Sequence, residues 1–176
     1  MGNFSVFLSF LIFIVVNLPA GGNAKLSCPR GFELHGLRCY IALDLRASWP
    51  KAKEYCTILG GKLAAIASSL EQRVIAEILA KTIGKTSNPL YWLDGSDMLQ
   101  SSEWRWMGDH GVPAPFSYTN WSPGQPNITN ERCLEISYNW QSKWKNAHCW
   151  VDKSFICEAR AVATEGEIIN DILQDP

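Results

Sequence analysis

The chain has 176 residues, with 16 Lys and Arg against 17 Asp and Glu, for a formal charge of −1. That length suits one domain with a sizeable core and excludes two large ones. The basic residues are scattered and do not interleave with aromatics, which excludes a nucleic-acid binder working through a clustered basic face.

Phe4 to Leu18 is an apolar run broken only by Ser5, Ser9 and Asn17. A run of about 15 residues falls short of the roughly 20 that a membrane-spanning helix needs. Small residues follow it at Ala20, Gly21, Gly22 and Ala24. The pattern predicts a signal peptide over residues 1–24, cleaved after Ala20 or Ala24, and a secreted protein without membrane insertion. The lack of Lys or Arg ahead of the run departs from the usual signal-peptide pattern, and an uncleaved anchor is the competing reading. Six cysteines in a secreted chain imply three disulfides, with 15 pairings open at this point. No CxxC occurs and there are three histidines, which argues against structural zinc. Most of the eight tryptophans belong in a core, where each indole needs one hydrogen-bond acceptor.

From Cys28 to Tyr40 the chain reads as a small hairpin, with Gly31 and Gly36 at its turns, leading into a strand at Tyr40 to Leu45. Ser48 is placed to cap a first helix carrying Ala52, Tyr55, Cys56 and Leu59, which Gly60 and Gly61 stop. Leu63 to Ile66 reads as a short strand. Ser69 and Gln72 have capping-box spacing and open a second helix to about Ala80, with Val74, Ile75, Ile78 and Leu79 on one face. Lys81 to Pro89 is a polar connector. Two core strands are expected at Tyr91 to Gly95 and Glu103 to Trp106, a loop at Pro113 to Pro115, and short closing strands at Cys133 to Ile136 and Phe155 to Cys157. An acidic tail, residues 159–176, carries Glu165, Glu167, Asp171 and Asp175. It reads as a solvated end more readily than as a partner-binding helix.

One stretch concentrates oxygen-bearing side chains around a proline and between two cysteines: Asn120-Trp121, Gly124-Gln125-Pro126-Asn127, Glu131-Arg132-Cys133, and Trp144-Lys145-Asn146 ahead of Cys149. With the two helices, Trp92-Leu93-Asp94-Gly95-Ser96-Asp97, Trp104 and Trp106, this resembles the C-type lectin domain family over Cys28 to Glu158. Its tone is similar to the secreted single-domain lectins of molluscs, including perlucin-like shell proteins. The resemblance implies a compact α+β domain over residues 25–158, with two helices, two small antiparallel sheets and a long binding loop. It also implies the pairing Cys28–Cys39, Cys56–Cys157 and Cys133–Cys149. The middle bridge would close about 100 residues, contributing up to about 4.7 kcal/mol on the chain-entropy model.

In that family calcium lies beside a cis-proline, held by the two flanking side-chain oxygens, a Glu two residues before the next cysteine, and a Trp-Asn-Asp run. Sugar hydroxyls complete the coordination. Carried over, the ligands are Gln125, Asn127, Glu131 and Asn146 around Pro126, supported by Trp121 and Trp144, and the carbohydrate-binding set adds Lys145. Gln125 and Asn127 match neither the Glu-Pro-Asn pattern of mannose-type ligands nor the Gln-Pro-Asp of galactose-type ones. Lys145 stands at a ligand position, yet an ammonium donates only. Asn146 replaces a charged ligand with a neutral one. Calcium affinity follows ligand charge and rigidity, so weak or absent calcium binding is expected. Two arrangements stay open, a weak calcium site with Lys145 swung out or a metal-free site with Lys145 in place of the ion. At a second family calcium position only Asp97 survives, against Ser101, Ile128 and Arg132, so Asp97 is read as a turn residue.

Of two glycosylation sequons, Asn120 is expected bare, and Asn127 is expected unmodified because it lies at a ligand position. His35, His110 and His148 lie far apart, and Glu103, Glu131 and Glu135 form no evident catalytic pair. The expected function is therefore non-enzymatic recognition of glycans or glycoconjugates, microbial surfaces among them, in innate defence. The alternative is a calcium-independent shell-matrix or protein-interaction module. Self-association into a homo-oligomer stays open.

Overall fold

The computed structural model describes residues 25–82, 90–108, 112–127 and 130–164. The expected signal peptide, most of the polar connector, His110, Ile128 with the rest of the Asn127 sequon, and the tail from residue 165 onward lie outside the described residues. Residues 26–164 form one compact unit.

The first strand, β1 (Lys25–Ser27), is followed by a hairpin of β2 (Glu33–His35) and β3 (Arg38–Ala47). Gly31 and Gly36 both take positive φ at its turns, where a side chain would be strained. Helix α1 (Trp49–Ile58) starts after Ser48, whose side chain makes no capping hydrogen bond; Pro50 sits in the first turn instead. Strand β4 (Lys62–Leu63) is shorter than expected. Ala64 lies beyond the strand: its N–H donates to Ile156 O at 2.8 Å, and its carbonyl accepts from Asp94 N at 2.9 Å.

Helix α2 (Ser69–Ala80) is capped one residue earlier than its sequence suggests. Ser68 accepts from Glu71 N at 3.2 Å, and the Glu71 carboxylate accepts from Ala67 N at 2.7 Å. Gln72, assigned to the cap from sequence, is buried in the interior. Ile75, Ile78 and Leu79 face the core as the periodicity predicts.

The chain continues through β5 (Leu90–Ser96), β6 (Arg105–Trp106), β7 (Ala114–Pro115) and β8 (Cys133–Ser137). Tyr138–Trp140 is a single 3-10 turn, followed by β9 (Lys143–Ala147), β10 (Lys153–Arg160) and β11 (Val162–Thr164). Three differences from the sequence reading stand out. Strand β6 begins only at Arg105, the Pro113 to Pro115 loop contains β7, and β9 was not anticipated. Strands also continue to Thr164, where β11 pairs with β1, past the expected domain end.

Both predicted helices and all the expected core strands are present, so the α+β class stands. The strands form a two-stranded sheet, β1 with β11, and a nine-stranded one. The larger sheet joins the β2–β3–β10 side to the β5–β8–β9 side through a short parallel ladder, Ser154 beside Tyr91 and Phe155 beside Trp92. The disulfides are Cys28–Cys39, Cys56–Cys157 and Cys133–Cys149, the pairing that the resemblance implies. Cys56–Cys157 fastens α1 to β10 across 101 residues of sequence.

The core has two parts. One packs Trp49, Trp92 and Phe155 around the cysteines; the other packs α2 against Tyr91, Leu93, Leu134, Ile136, Trp144 and Ile156. Three buried indoles find acceptors: Trp49 donates to Leu93 O, Trp92 to Ala47 O and Trp144 to Gln72 Oε1. Trp150 is the exception among the tryptophans, 77% exposed at a turn.

Candidate functional site

Strand β9 is the base of the site. Its burial alternates, with Trp144 and Asn146 buried and Lys143 and Lys145 half-buried, as a pleated strand demands. Trp144 is fully buried and meets Tyr118, Phe116, Trp121 and Trp106 edge-on, with ring centroids 5.7–5.8 Å apart. Such edge-to-face contacts add to the area that each ring buries. The backbone of the incoming loop is hydrogen-bonded to the same residue. Trp144 N donates to Asn120 O, and Ser122 N donates to Trp144 O, each at 2.9 Å. A turn follows, Gln125 N to Ser122 O at 3.0 Å, with Gly124 at a φ of 76°. The chain thus reaches Gln125 already fixed against β9.

The Gln125–Pro126 bond is cis, as the resemblance implies. The residues on either side of Pro126 both turn to Asn146. Asn146 N donates to Gln125 Oε1 at 3.2 Å, and Asn127 N donates to Asn146 Oδ1 at 3.2 Å. Asn146 Nδ2 in turn donates to Asn127 Oδ1 at 2.7 Å, Asn127 O at 3.1 Å and Glu131 O at 3.0 Å. Two of those acceptors are backbone carbonyls and the facing donor is a backbone N–H, so the orientation of the Asn146 amide is dictated by groups that cannot exchange roles. Asn146 is 4% exposed, while Asn127 is exposed and Gln125 half-buried. Cys133–Cys149 closes the base, and β8 places Leu134 opposite Asn146.

Four of the five predicted carbohydrate-binding residues are therefore brought together: Gln125, Asn127, Glu131 and Asn146. Lys145 stands apart, its ammonium 3.7 Å from the centre of the Trp140 ring and its backbone opposite Glu135. Glu131 keeps a carboxylate that is 28% exposed, with His148 Nε2 3.9 Å away. The sequence reading set His148 aside. The available signal was its place one residue before Cys149, since Glu131 lies two before the bridged Cys133.

Calcium takes six to eight oxygens at about 2.3–2.6 Å. Here the converging oxygens of Asn127 and Glu131 already surround an amide N–H₂, and Glu131 supplies the one carboxylate of the predicted set. Among the described residues no group of three or more His, Cys, Asp and Glu could hold a metal. The arrangement fits calcium poorly. At the second family position Asp97 behaves as a turn residue: its Oδ2 accepts from Ser102 N at 2.9 Å and pairs with Arg132 Nη1 at 3.1 Å.

Beneath the site lies a buried ion pair between Glu135 and Lys153, the latter 4.4 Å from the Trp92 ring centre. Burial raises the Glu135 carboxyl above its ordinary value, and Lys153, with Lys145 beyond it, opposes that rise. Asn120 uses both ends of its amide, donating to Ser142 O at 3.1 Å and accepting from Lys143 Nζ at 2.7 Å.

Comparison with known proteins agrees with this geometry. A galactose-specific lectin, nattectin of Thalassophryne nattereri, is 31% identical over 157 residues, covering 88% of this chain and 94% of that protein. A perlucin-like protein of Mytilus galloprovincialis is 29% identical over 161 residues, covering 89% of this chain and all of that one. Among solved structures, a calcium-independent type II antifreeze protein superposes with a TM-score of 0.67 at 28% identity, over 80% of this chain and 100% of that one. The family model described as Lectin C-type domain matches residues 45–159, and with the three bridges, the cis-proline loop and these relatives it places the chain in the C-type lectin domain family.

Proposed function

We propose that the chain is a secreted, non-enzymatic lectin that recognises glycans, microbial surface glycans among them, through the Gln125–Pro126–Asn127 loop with weak or absent calcium dependence. One observation carries the reading: exposed Asn127 and the Glu131 carboxylate, 28% exposed, stand on Asn146, which is buried and hydrogen-bonded to both residues. Loops fixed before binding lose little entropy on meeting a ligand, and amide and carboxylate groups suit the paired donor and acceptor character of sugar hydroxyls. The likeness to a galactose-specific lectin points to galactose-type ligands for the first trial. Secretion rests on the apolar leader and on three disulfides, which persist in oxidising compartments.

A second reading is a metal-free matrix or protein-interaction module on the same fold. The likeness to a calcium-independent type II antifreeze protein favours it. Calorimetric titration of the disulfide-intact protein with galactose and mannose ligands, in calcium and in chelator, separates the two. Binding that persists in chelator supports the metal-independent lectin. Binding lost in chelator returns calcium to the site, and no binding in either condition favours the module.

A further inference from the structure

We infer that the side-chain amide of Asn146 is a built-in lock for the binding loop, occupying the point where the loop oxygens converge, so that the loop closes without a metal ion. This concerns the folding of the loop and holds whether or not a sugar binds there. The chemistry is a substitution of donors for positive charge. Acceptor oxygens gathered in one place repel one another unless something positive or proton-bearing lies between them. Here that group is Nδ2, within 2.7–3.1 Å of Asn127 Oδ1, Asn127 O and Glu131 O. The opposite end of the same amide accepts from Asn127 N, and the residue's own backbone N–H holds Gln125 Oε1. One buried residue thereby fixes both sides of Pro126 and the approach to Cys133.

Lys145 does not fill this role. Its ammonium lies over the Trp140 ring, 3.7 Å from the centre, and β9 places its side chain in the alternate phase from that of Asn146. The metal-free arrangement thus uses a neutral amide at its centre. It needs no charged group there, in keeping with the single carboxylate in the predicted set.

The lock predicts a specific response to one atom. Asn146→Asp keeps the shape and the acceptor but removes both Nδ2 protons, leaving a carboxylate that faces the other oxygens. In chelator the loop of this variant should open: amide hydrogen exchange at Asn127 accelerates at least about tenfold and the thermal midpoint falls. Calcium should reverse both changes, and terbium added in its place should show luminescence sensitised by nearby tryptophan. Asn146→Ala should lose the same protection with no recovery in calcium. The unmodified protein should show protected Asn127 and Asn146 amides, and an unchanged midpoint, in chelator and in millimolar calcium alike.

Unprotected loop amides of the unmodified protein in chelator, or a midpoint that calcium raises as it does in Asn146→Asp, would overturn the inference. So would an Asn146→Asp variant whose loop stays closed in chelator, or one that opens and does not respond to calcium. The exchange measurement on the unmodified protein decides the matter even where a variant fails to fold.

Discussion

The indole N–H of Trp144 donates to Oε1 of Gln72 across 2.9 Å, joining helix α2 to the strand that carries Asn146. The Gln72 amide also donates to Ser142 O at 2.9 Å, so one side chain satisfies both a buried indole and the backbone just before β9. Replacing Gln72 with Leu roughly keeps the volume and strands the buried Trp144 indole N–H, while Ser142 O keeps its donor from the Asn120 amide. A stranded buried donor or acceptor costs about 1–3 kcal/mol. Urea unfolding of Gln72→Leu is expected to show a lower midpoint with an unchanged slope. An unchanged midpoint would mean that water replaces the amide.

Gln72 also marks where the sequence stops being informative. Ser68 and Ser69 each have an acidic or amide residue three positions on, Glu71 and Gln72, so local spacing cannot choose between them. The choice is made by Trp144, seventy-two residues away, which needs an acceptor inside the core. The same holds for Asn146. Its ligand-like position is what the resemblance implies through the family's Trp-Asn-Asp run, while the inward direction of its N–H₂ depends on carbonyls contributed by Asn127 and Glu131. By contrast β9 was readable and missed. Lys143, Trp144, Lys145 and Asn146 alternate as a strand should, while the family resemblance marks them only as part of the binding loop. What depended on nearest neighbours came through, such as the apolar face of α2 and the turns at Gly31 and Gly36. What depended on long-range hydrogen bonds did not.

The Glu135–Lys153 pair should show an asymmetry between single and paired replacement. Both partners are buried, and Lys153 also lies against Trp92. Glu135→Gln leaves an ammonium without its counter-charge, an effect of about 3–5 kcal/mol in comparable buried pairs. Glu135→Leu combined with Lys153→Met removes both charges and is expected to cost less than the single change. Chemical denaturation of the three proteins measures this directly, and a double variant weaker than the single would refute it.

Stability should fall as pH rises above the ordinary carboxylate range. Burial raises the carboxyls of Asp94, Glu135 and Glu158; Lys53, Lys153 and Arg38 with Lys62 respectively oppose the rise without cancelling it. A carboxyl with a higher folded than unfolded pKa binds its proton more readily in the folded state. Its contribution is fully present below the unfolded value of about 4 and is lost as pH rises through the folded value. Unfolding free energies measured across that interval should decline for the unmodified protein. Glu158→Gln should flatten the decline, because the amide does not titrate, and an equally steep profile would remove Glu158 from the account.

Asn120 should carry no glycan. Glycosylation would attach to the nitrogen that donates to Ser142 O, and the amide oxygen is held by Lys143. Mass spectrometry of the peptide containing Asn120, from protein secreted by a glycosylating host, is expected to show the unmodified mass. A hexosamine-bearing peptide would mean that this loop forms after the sugar is added.

Lys145 gives the sharpest separation between two ways of working without calcium. If its ammonium stood in for the ion, Lys145→Ala would abolish ligand binding and open the loop. The observed contact is with Trp140 instead, at 3.7 Å from the ring centre, on the opposite phase of β9 from Asn146. Cation–π contacts at partly exposed positions contribute about 0.5–1 kcal/mol. Lys145→Ala is therefore expected to lower stability by no more than about that amount and to alter Trp140 fluorescence. It should leave both the protection of the Asn127 amide and the affinity for any sugar within about twofold of the unmodified protein. Lys145→Arg, which retains a cation able to stack on the indole, should recover the lost stability. A collapse of loop protection in Lys145→Ala would move the lock from the amide of Asn146 to the ammonium beside it.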